Sequence, residues 1–407
     1  MRMVPLRALL ITQYYKPELI GSAPFCADLA EWLNQHGRRT TVLTGLPHYP
    51  RAEVFPDYRK RRCKQEIING VAVERVRNWI PRHRSAPYRI ASELAFAIQG
   101  GAALVTRRLG RRPLVFSLCP SILCLALGQI ARRKGGCHIA IVHDIQSGLA
   151  RGLRLVDNGV MIRVMRWCER QLLNRVDLII VLTEDMKQEL RRIGVERPIQ
   201  VVPIWVDTER IYPLPEERHE PTKVLYSGNF GKKQGLGQII AMAEELQARR
   251  PDIEIMLRGG GSQAEAIAAE IARRNLRNVR LSELLPDHDL SRGLASGDIH
   301  LVPQNPEAAE FAIPSKVFNI MAAGRPFVTS ALPGSSLWEL QRESQAFLCV
   351  PPNNPAAFAD AVLKLADDPQ LRADLGRRGR SFVERHYSKR KVLGDFLMLI
   401  DRLYARG

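Results

Sequence analysis

Long hydrophobic runs are missing from this chain of 407 residues, although 45% of its residues are hydrophobic. No uninterrupted run reaches the roughly 18 apolar residues of a membrane-spanning helix. The longest candidate, 114–130, is interrupted by Pro120 and Ser121. The N-terminal apolar stretch, 8–11, is too short for the apolar region of a signal peptide. These absences argue against a membrane span and against export, and they predict a cytoplasmic protein.

Regularly spaced cysteines and abundant aromatic residues are missing as well. The seven cysteines are scattered and none forms a CxxC pair, which excludes a disulfide framework and a zinc-finger site and predicts reduced thiols. Aromatic residues make up only 6% of the chain, and it has no RNP-type aromatic motif and no basic tail. We therefore expect no nucleic-acid partner, despite a net charge of +18.

Acidic residues are scarce only in the first half of the chain. Residues 1–200 contain 33 Lys and Arg against 16 Asp and Glu, whereas residues 201–407 contain 27 against 26. The excess is greatest between Arg51 and Arg112, on both sides of an apolar-rich helical stretch at 92–109. Basic residues beside such a helix predict an anionic membrane surface as a partner. The alternative is a solvated basic face without a partner.

Short apolar runs alternate with helical patterns along the whole chain. This alternation predicts parallel sheets covered on both faces, and hence an α/β fold of two Rossmann-like, doubly wound domains. The predicted strands are 7–12, 40–43, 71–76, 114–117, 139–143, 178–183, 223–226, 253–257, 279–281, 300–303 and 327–330. The predicted organisation is a first domain at 1–205, a proline-rich linker at 206–222, a second domain at 223–384 and a C-terminal helix at 385–407 that packs on the first domain.

Glycine-containing loops are predicted after the first strand of each domain. In the first domain the loop leads to Gly21, and in the second Gly228 and Asn229 lead to Lys232 and Lys233. A glycine before a helix allows backbone N–H groups to approach an anion, and lysines add charge for a diphosphate. Neither loop has a dinucleotide-binding or P-loop pattern. A simple turn is the alternative for each.

The most specific segment is PSKVFNIMAAGRP at 314–326. Together with YYKPELIGSAP, LTGLPHYP, NGVAVERVRNWIPR, VVPIWVD and YSGNFGKKQG, it resembles the retaining GT-B glycosyltransferases of family 4, in family order and over nearly the whole chain. The first half is most similar to the colanic-acid and exopolysaccharide branch, which includes fucosyltransferase-like members. The resemblance implies two domains facing across a cleft, an acceptor on the first domain, a nucleotide sugar on the second, and sugar transfer with retention and without metal.

The resemblance also implies roles for individual residues. Lys233 and Lys316, with Ser315 and the N–H groups near Gly21, would stabilise the departing diphosphate. The segment from Gly259 to Gly261 would border the base and ribose of a UDP- or GDP-linked donor, which is a substrate, so no cofactor is expected.

Two positions depart from the family pattern. Asn319 stands where the family has its second glutamate, and its amide can still bind the ribose. Glu310 is the candidate to face the sugar, although a solvated loop carboxylate is equally open. Asn229 replaces the family's donor-site arginine, with Lys232 and Lys233 as candidates to compensate. These changes leave the identity of the donor open.

His143 ends a predicted strand of the first domain, where open α/β sheets bind ligands. It is a candidate to hydrogen-bond the sugar or to move a proton, and a structural histidine is the alternative. The acidic pair at Asp287 and Asp289 is explained by the start of a helix, so no metal site is expected.

The predicted protein is a peripheral glycosyltransferase on the inner face of the plasma membrane. It would transfer a sugar from a nucleotide sugar to a polyprenyl-diphosphate-linked saccharide, and this acceptor and the anionic leaflet would explain the basic first half. A nucleotide-sugar epimerase, a non-catalytic nucleotide-sugar-binding protein and a nucleic-acid-binding protein remain as alternatives.

Overall fold

In the computed structural model the chain folds into two compact units. Unit 1 comprises Met1–Arg151, Val156–Val202 and Leu403–Gly407, and unit 2 comprises Gly152–Leu155 and Pro203–Arg402. The residues that the structure describes are 6–18, 21–48, 53–59, 64–80, 86–106, 109–119, 121–152, 159–215, 219–285, 289–308 and 314–404.

Unit 1 is built on an eight-stranded sheet with the order β3-β4-β2-β1-β5-β6-β7-β8. All neighbours are parallel except β3 and β4. The central strands are apolar and buried on both faces, as parallel sheets require. The strands are β1 Leu6–Ile11, β2 Arg38–Gly45, β3 Lys64–Ile68, β4 Val71–Val76, β5 Arg112–Cys119, β6 Arg132–Val142, β7 Leu178–Val181 and β8 Ile199–Val201.

The helices of unit 1 form where apolar residues recur at helical spacing and where the residues at the helix ends stabilise the free backbone groups. In the last of them, the Thr183 hydroxyl accepts a hydrogen bond from the Met186 N–H at 3.2 Å, with acidic residues in the first turn and basic ones in the last. The helices are α1 Ala23–Gln35, α2 Ala86–Val105, α3 Leu123–Ala131, α4 Gln146–Gly152, α5 Gly159–Leu173 and α6 Glu184–Arg192.

Unit 2 contains a fully parallel six-stranded sheet with the order β11-β10-β9-β12-β13-β14. Its strands are β9 Lys223–Asn229, β10 Glu254–Gly260, β11 Val279–Ser282, β12 Ile299–Val302, β13 Phe327–Ser330 and β14 Leu348–Val350. Its helices are α7 Gly237–Arg249, α8 Ala264–Arg273, α9 Leu290–Ala295, α10 Lys316–Ala322, α11 Ser336–Ser344, α12 Pro355–Asp367 and α13 Pro369–His386, followed by α14 Lys389–Tyr404, whose last two residues are grouped with unit 1. The two parallel-sheet units confirm the predicted fold class.

Several details of the prediction were wrong. The C-terminal helix predicted at 385–407 corresponds to α14, which begins only at Lys389, because the N–H of Val206 donates to the Tyr387 carbonyl at 2.9 Å and the N–H of Lys389 donates to the Val206 carbonyl at 2.8 Å. Strands β3, β8 and β14 were not predicted, because they are short or carry charged side chains, so their apolar signal is weak.

Two further observations concern the membrane and the cysteines. Within the described ranges, no helix has the length and apolar character needed to cross a membrane. The cysteines in these ranges carry free thiols, and burial raises the pKa of most of them. Cys63 lies outside the described residues.

Candidate functional site

The two glycine-rich segments of unit 2 lie side by side at the carboxyl ends of β9 and β10. Gly228 pairs with Gly259, and Asn229 pairs with Gly260. The prediction that Gly228 and Asn229 lie in a loop was wrong, because β9 continues through both residues, and β10 likewise continues through Gly259 to Gly260. They can continue because Gly259 has no side chain: a Cβ there would lie 1.9 Å from the Gly228 carbonyl oxygen.

The chain turns sharply after both strands. The Phe230 N–H donates to the Gly260 carbonyl at 2.8 Å, and the Gln263 N–H donates to the Phe230 carbonyl at 2.9 Å. A Cβ on Gly261 would lie 2.4 Å from the Asn229 side-chain oxygen. The absence of side chains at these glycines therefore permits a close approach of two backbone segments.

Lys316, the first residue of α10, contacts this pair of strands. Its ammonium nitrogen lies 3.7 Å from the centroid of the Tyr226 ring, and it would lie 2.8 Å from a Cβ on Gly228. The nitrogen is buried and has no hydrogen-bond partner among the described residues. Burial lowers the pKa of this group to about 7. The cation–π contact with Tyr226 offsets only part of the cost of burying a charge.

Tyr226 was missed by the sequence analysis, because an aromatic residue in a predicted strand is typical of a core position. It is fully buried, and its hydroxyl donates to the Asn229 carbonyl at 2.7 Å. The Tyr226 ring therefore contacts the Lys316 ammonium, and its hydroxyl holds the last residue of β9 in place by a hydrogen bond. Phe230 packs on the same ring, with centroids 5.9 Å apart.

Lys232 and Lys233 lie in a single 3-10 turn after β9 that ends at Gly235, whose φ is +65°. The Asn305 N–H donates to the Lys233 carbonyl at 3.2 Å, which ties the turn to the segment that follows β12. Lys232 is exposed and Lys233 is partly exposed. The structure thus places both lysines just beyond the strand that carries Gly228.

Around α10, Ser315 is exposed immediately before the helix, and Asn319 follows Lys316 by three residues, which places both on one side of the helix. Glu310 lies outside the described residues, as does Asp287. The structure brings together Gly228, Gly259 and Lys316, with Asn319 on the same helix as Lys316.

The predicted residues of unit 1 lie at the carboxyl edge of its sheet. Gly21 is exposed with a φ of +69° and is separated from the first residue of α1 by Ser22. The N–H of His143 donates to the Cys119 carbonyl at 3.3 Å, and its ring lies edge-on to Phe25 of α1, with centroids 5.8 Å apart. His143 therefore follows β6 directly and packs beside the helix that Gly21 introduces.

A buried carboxylate organises the same edge. Glu18 is 1% exposed and accepts hydrogen bonds from the N–H groups of Tyr15 at 3.2 Å and His48 at 3.0 Å. It thereby joins the segments that follow β1 and β2. Within the part of the chain that the structure describes, no cluster of three or more His, Cys, Asp or Glu side chains could hold a metal ion.

Comparisons with known proteins agree with this architecture. A family model described as "Glycosyl transferase 4-like domain" matches residues 21–205, and one described as "Glycosyl transferases group 1" matches residues 208–382. WcaI of Escherichia coli, named for colanic acid biosynthesis and glycosyl transfer, is 27% identical over 401 residues, covering 94% of this chain and 97% of the relative.

Solved structures share the fold. The sucrose-phosphate synthase of Thermosynechococcus elongatus superposes with a TM-score of 0.80 at 17% identity, covering 99% of this chain and 100% of that one. HepE of Anabaena, in complex with UDP and glucose, superposes with a TM-score of 0.72 at 14% identity, covering 97% and 99%. With two family models that together span most of its length and with this fold, the chain belongs to the family 4 glycosyltransferases of the GT-B fold.

Proposed function

We propose that this enzyme is a retaining, metal-independent glycosyltransferase that moves a sugar from a UDP- or GDP-linked donor to a polyprenyl-diphosphate-linked saccharide in exopolysaccharide synthesis. The assignment of the donor site rests on the Lys316 ammonium, which is buried against the Tyr226 ring and has no hydrogen-bond acceptor among the described residues. A buried charge is costly unless it is paired. A diphosphate bound at the end of β9 would supply the missing acceptor.

The proposed reaction needs a site that stabilises the leaving nucleoside diphosphate while the anomeric carbon gains positive charge. Lys316 would bind the phosphate oxygens, assisted by Ser315 and by Lys232 or Lys233. The glycines of β9 and β10 would allow the nucleotide to lie close to the backbone, and Asn319 would bind the ribose. Glu310 would face the sugar. These roles remain proposals.

The proposed role of unit 1 is to hold the acceptor. His143 would hydrogen-bond the transferred sugar or accept the proton that the acceptor hydroxyl loses, and the N–H groups near Gly21 would assist at the phosphates. The basic charge of the first half favours an anionic acceptor. The similarity to WcaI, named for colanic acid biosynthesis, supports an exopolysaccharide as the product.

We also propose that unit 1 binds the cytoplasmic face of the plasma membrane through α2. Ile90, Leu94 and Ile98 follow one another at intervals of four residues and are 51%, 46% and 68% exposed, so they form one apolar stripe. An exposed apolar stripe on a basic unit is typical of a helix that lies in an anionic membrane interface.

Replacing Ile90 and Leu94 by aspartate is expected to reduce binding to phosphatidylglycerol vesicles about tenfold or more, because two apolar side chains no longer enter the interface. Co-sedimentation measures the effect. Ile67→Asp is the control, since Ile67 is 77% exposed but belongs to strand β3 and not to the apolar stripe of α2. Equal sedimentation of the double variant and the control would contradict the membrane role of α2.

The proposed activity is tested by incubating the enzyme with nucleotide sugars and a lipid extract in EDTA, followed by product analysis. We expect a glycolipid in which the new linkage has the anomeric configuration of the donor. An epimerised nucleotide sugar formed without acceptor would instead identify an epimerase. Binding of the donor without any turnover in the presence of acceptor lipids would indicate a non-catalytic relative.

A further inference from the structure

A groove of about 810 Å³ lies in unit 1 and has no role among those assigned above. It is bordered by the segments that follow β2 and β4 and by one face of α2. Open α/β sheets bind ligands at this carboxyl edge, and the volume is typical of a ligand site. The lining residues are Leu46, Val54, Arg59, Arg77, Asn78, Trp79, Ile80, Ala95, Ile98 and Gln99.

One buried donor in this groove has no acceptor. Asn78 is 5% exposed, and its side-chain oxygen accepts the Leu46 N–H at 2.9 Å. Its side-chain nitrogen is buried and has no hydrogen-bond partner among the described residues. A buried amide nitrogen without a partner is costly in an unliganded protein. A ligand oxygen in the groove would satisfy it.

The charges of the groove favour an anionic group on that ligand. Arg59 forms an ion pair with Glu53 at 3.0 Å. Arg77 is exposed and forms no ion pair with a described residue. Guanidinium groups bind phosphate oxygens in two-pronged geometry, which makes Arg77 suited to a phosphate.

The rest of the lining is apolar and continues onto the surface. Ile98 belongs both to the groove and to the exposed stripe of α2. Trp79 packs near Tyr88, with ring centroids 5.8 Å apart, and the Ser92 hydroxyl donates to the Trp79 carbonyl at 2.6 Å. Aromatic residues at the end of an apolar helix face are typical of a membrane interface. An apolar chain could thus pass from a bilayer into the groove without crossing water.

We propose that this groove binds a polyprenyl diphosphate, with the first isoprene units against Trp79, Ile80 and Ile98 and the phosphates at Arg77 and the Asn78 amide. This inference rests on the proposed function, since it places the lipid end of the acceptor. The occupant is a single amphiphile in which an apolar chain is joined directly to an anionic diphosphate, because the groove is lined both by apolar side chains and by the polar groups of Arg77 and Asn78.

The test is calorimetric titration of the full-length protein with geranylgeranyl diphosphate, inorganic diphosphate and geranylgeraniol. We expect geranylgeranyl diphosphate to bind at least about tenfold more tightly than either half. Arg77→Ala and Ile98→Asp are each expected to weaken its binding about tenfold. Arg111→Ala and Ile67→Asp, which change an exposed arginine and an exposed isoleucine outside the groove, are expected to leave binding unchanged.

Two results would overturn the assignment. If the control variants weaken the binding of geranylgeranyl diphosphate as much as the groove variants do, the lipid binds through the general charge or apolar surface of the unit and not in the groove. Equal competition by short-chain phosphatidylglycerol would identify a membrane phospholipid as the occupant. A thermal-shift measurement of the wild-type protein with nucleotide sugars separates the two proposals. If the protein binds a nucleotide sugar but not geranylgeranyl diphosphate, only the lipid assignment of the groove is refuted. If it binds neither, the proposed function is refuted as well.

Discussion

Lys316→Met is expected to weaken binding of the nucleoside-diphosphate donor by roughly 100-fold, while making the unliganded protein more stable. The loss follows from removing a charge-assisted hydrogen bond to the diphosphate, which contributes about 2 to 3 kcal/mol. The gain follows from removing a buried ammonium that has no hydrogen-bond partner among the described residues. Methionine is an unbranched apolar side chain only one atom shorter than lysine, so it removes the charge with little change in shape.

The gain in stability should depend on pH with a defined sign. Burial lowers the pKa of the Lys316 ammonium from 10.5 to about 7 in the folded protein. Between these values the unfolded chain binds more protons, so the free energy of unfolding of the wild-type protein rises with pH. The stability advantage of the variant is therefore largest at pH 7 and below, on the order of 5 kcal/mol, and it disappears above about pH 10.5.

Thermal melts and nucleotide titrations at pH 7 and pH 9.5 measure both effects. Lys232→Met is the matched control, because Lys232 is exposed on the neighbouring turn and its replacement should leave the stability nearly unchanged. A Lys316→Met protein that binds nucleotide as the wild type does, or that melts at a lower temperature at pH 7, would refute the role assigned to this ammonium.

Gly259→Ala is expected to lower the free energy of unfolding by about 4 kcal/mol and to abolish donor binding. A Cβ at this position would lie 1.9 Å from the Gly228 carbonyl oxygen, and the φ of +153° disfavours any side chain. Strand β9 would have to move, and Gly228 would be displaced from the Lys316 ammonium. Urea denaturation combined with nucleotide titration measures the two effects.

The adjacent glycine provides the control for that substitution. A Cβ on Gly260 would meet no atom within 4 Å outside its chain neighbours. Gly260→Ala should therefore change the stability by less than about 1 kcal/mol. Similar losses of stability in the two alanine variants would mean that general backbone stiffening, and not the contact with Gly228, explains the lower stability of Gly259→Ala.

The sequence predicted the parts of this enzyme that repeat along the chain or that belong to a compact motif. Buried runs such as β1 and β13 are apolar and short, so alternation with helices was sufficient to predict two parallel sheets. Lys316 was predicted because it lies in a contiguous motif. Tyr226 was not predicted, because its role depends on the approach of a helix that begins 90 residues later in the chain.

The groove of unit 1 illustrates the same limit. Leu46, Asn78 and Ile98 come from three separate elements, and none belongs to a recognisable motif. Their proximity is a consequence of the order β4-β2-β1 in the sheet and of the position of α2. Long-range placement of this kind is decided by tertiary packing, which local propensity and periodicity do not encode.

A thermal-shift titration of the wild-type protein with UDP-, GDP-, ADP-, dTDP- and CMP-sugars in EDTA tests directly whether Lys316 and the paired glycines form a donor site. We expect one family of nucleotides to stabilise the protein by about 2.7 kcal/mol at 100 times its Kd, without added metal. The shift should be lost in Lys316→Met. No shift with any of these nucleotides, or a shift of equal size in the variant, would contradict the assignment of the donor site to Lys316 and the paired glycines.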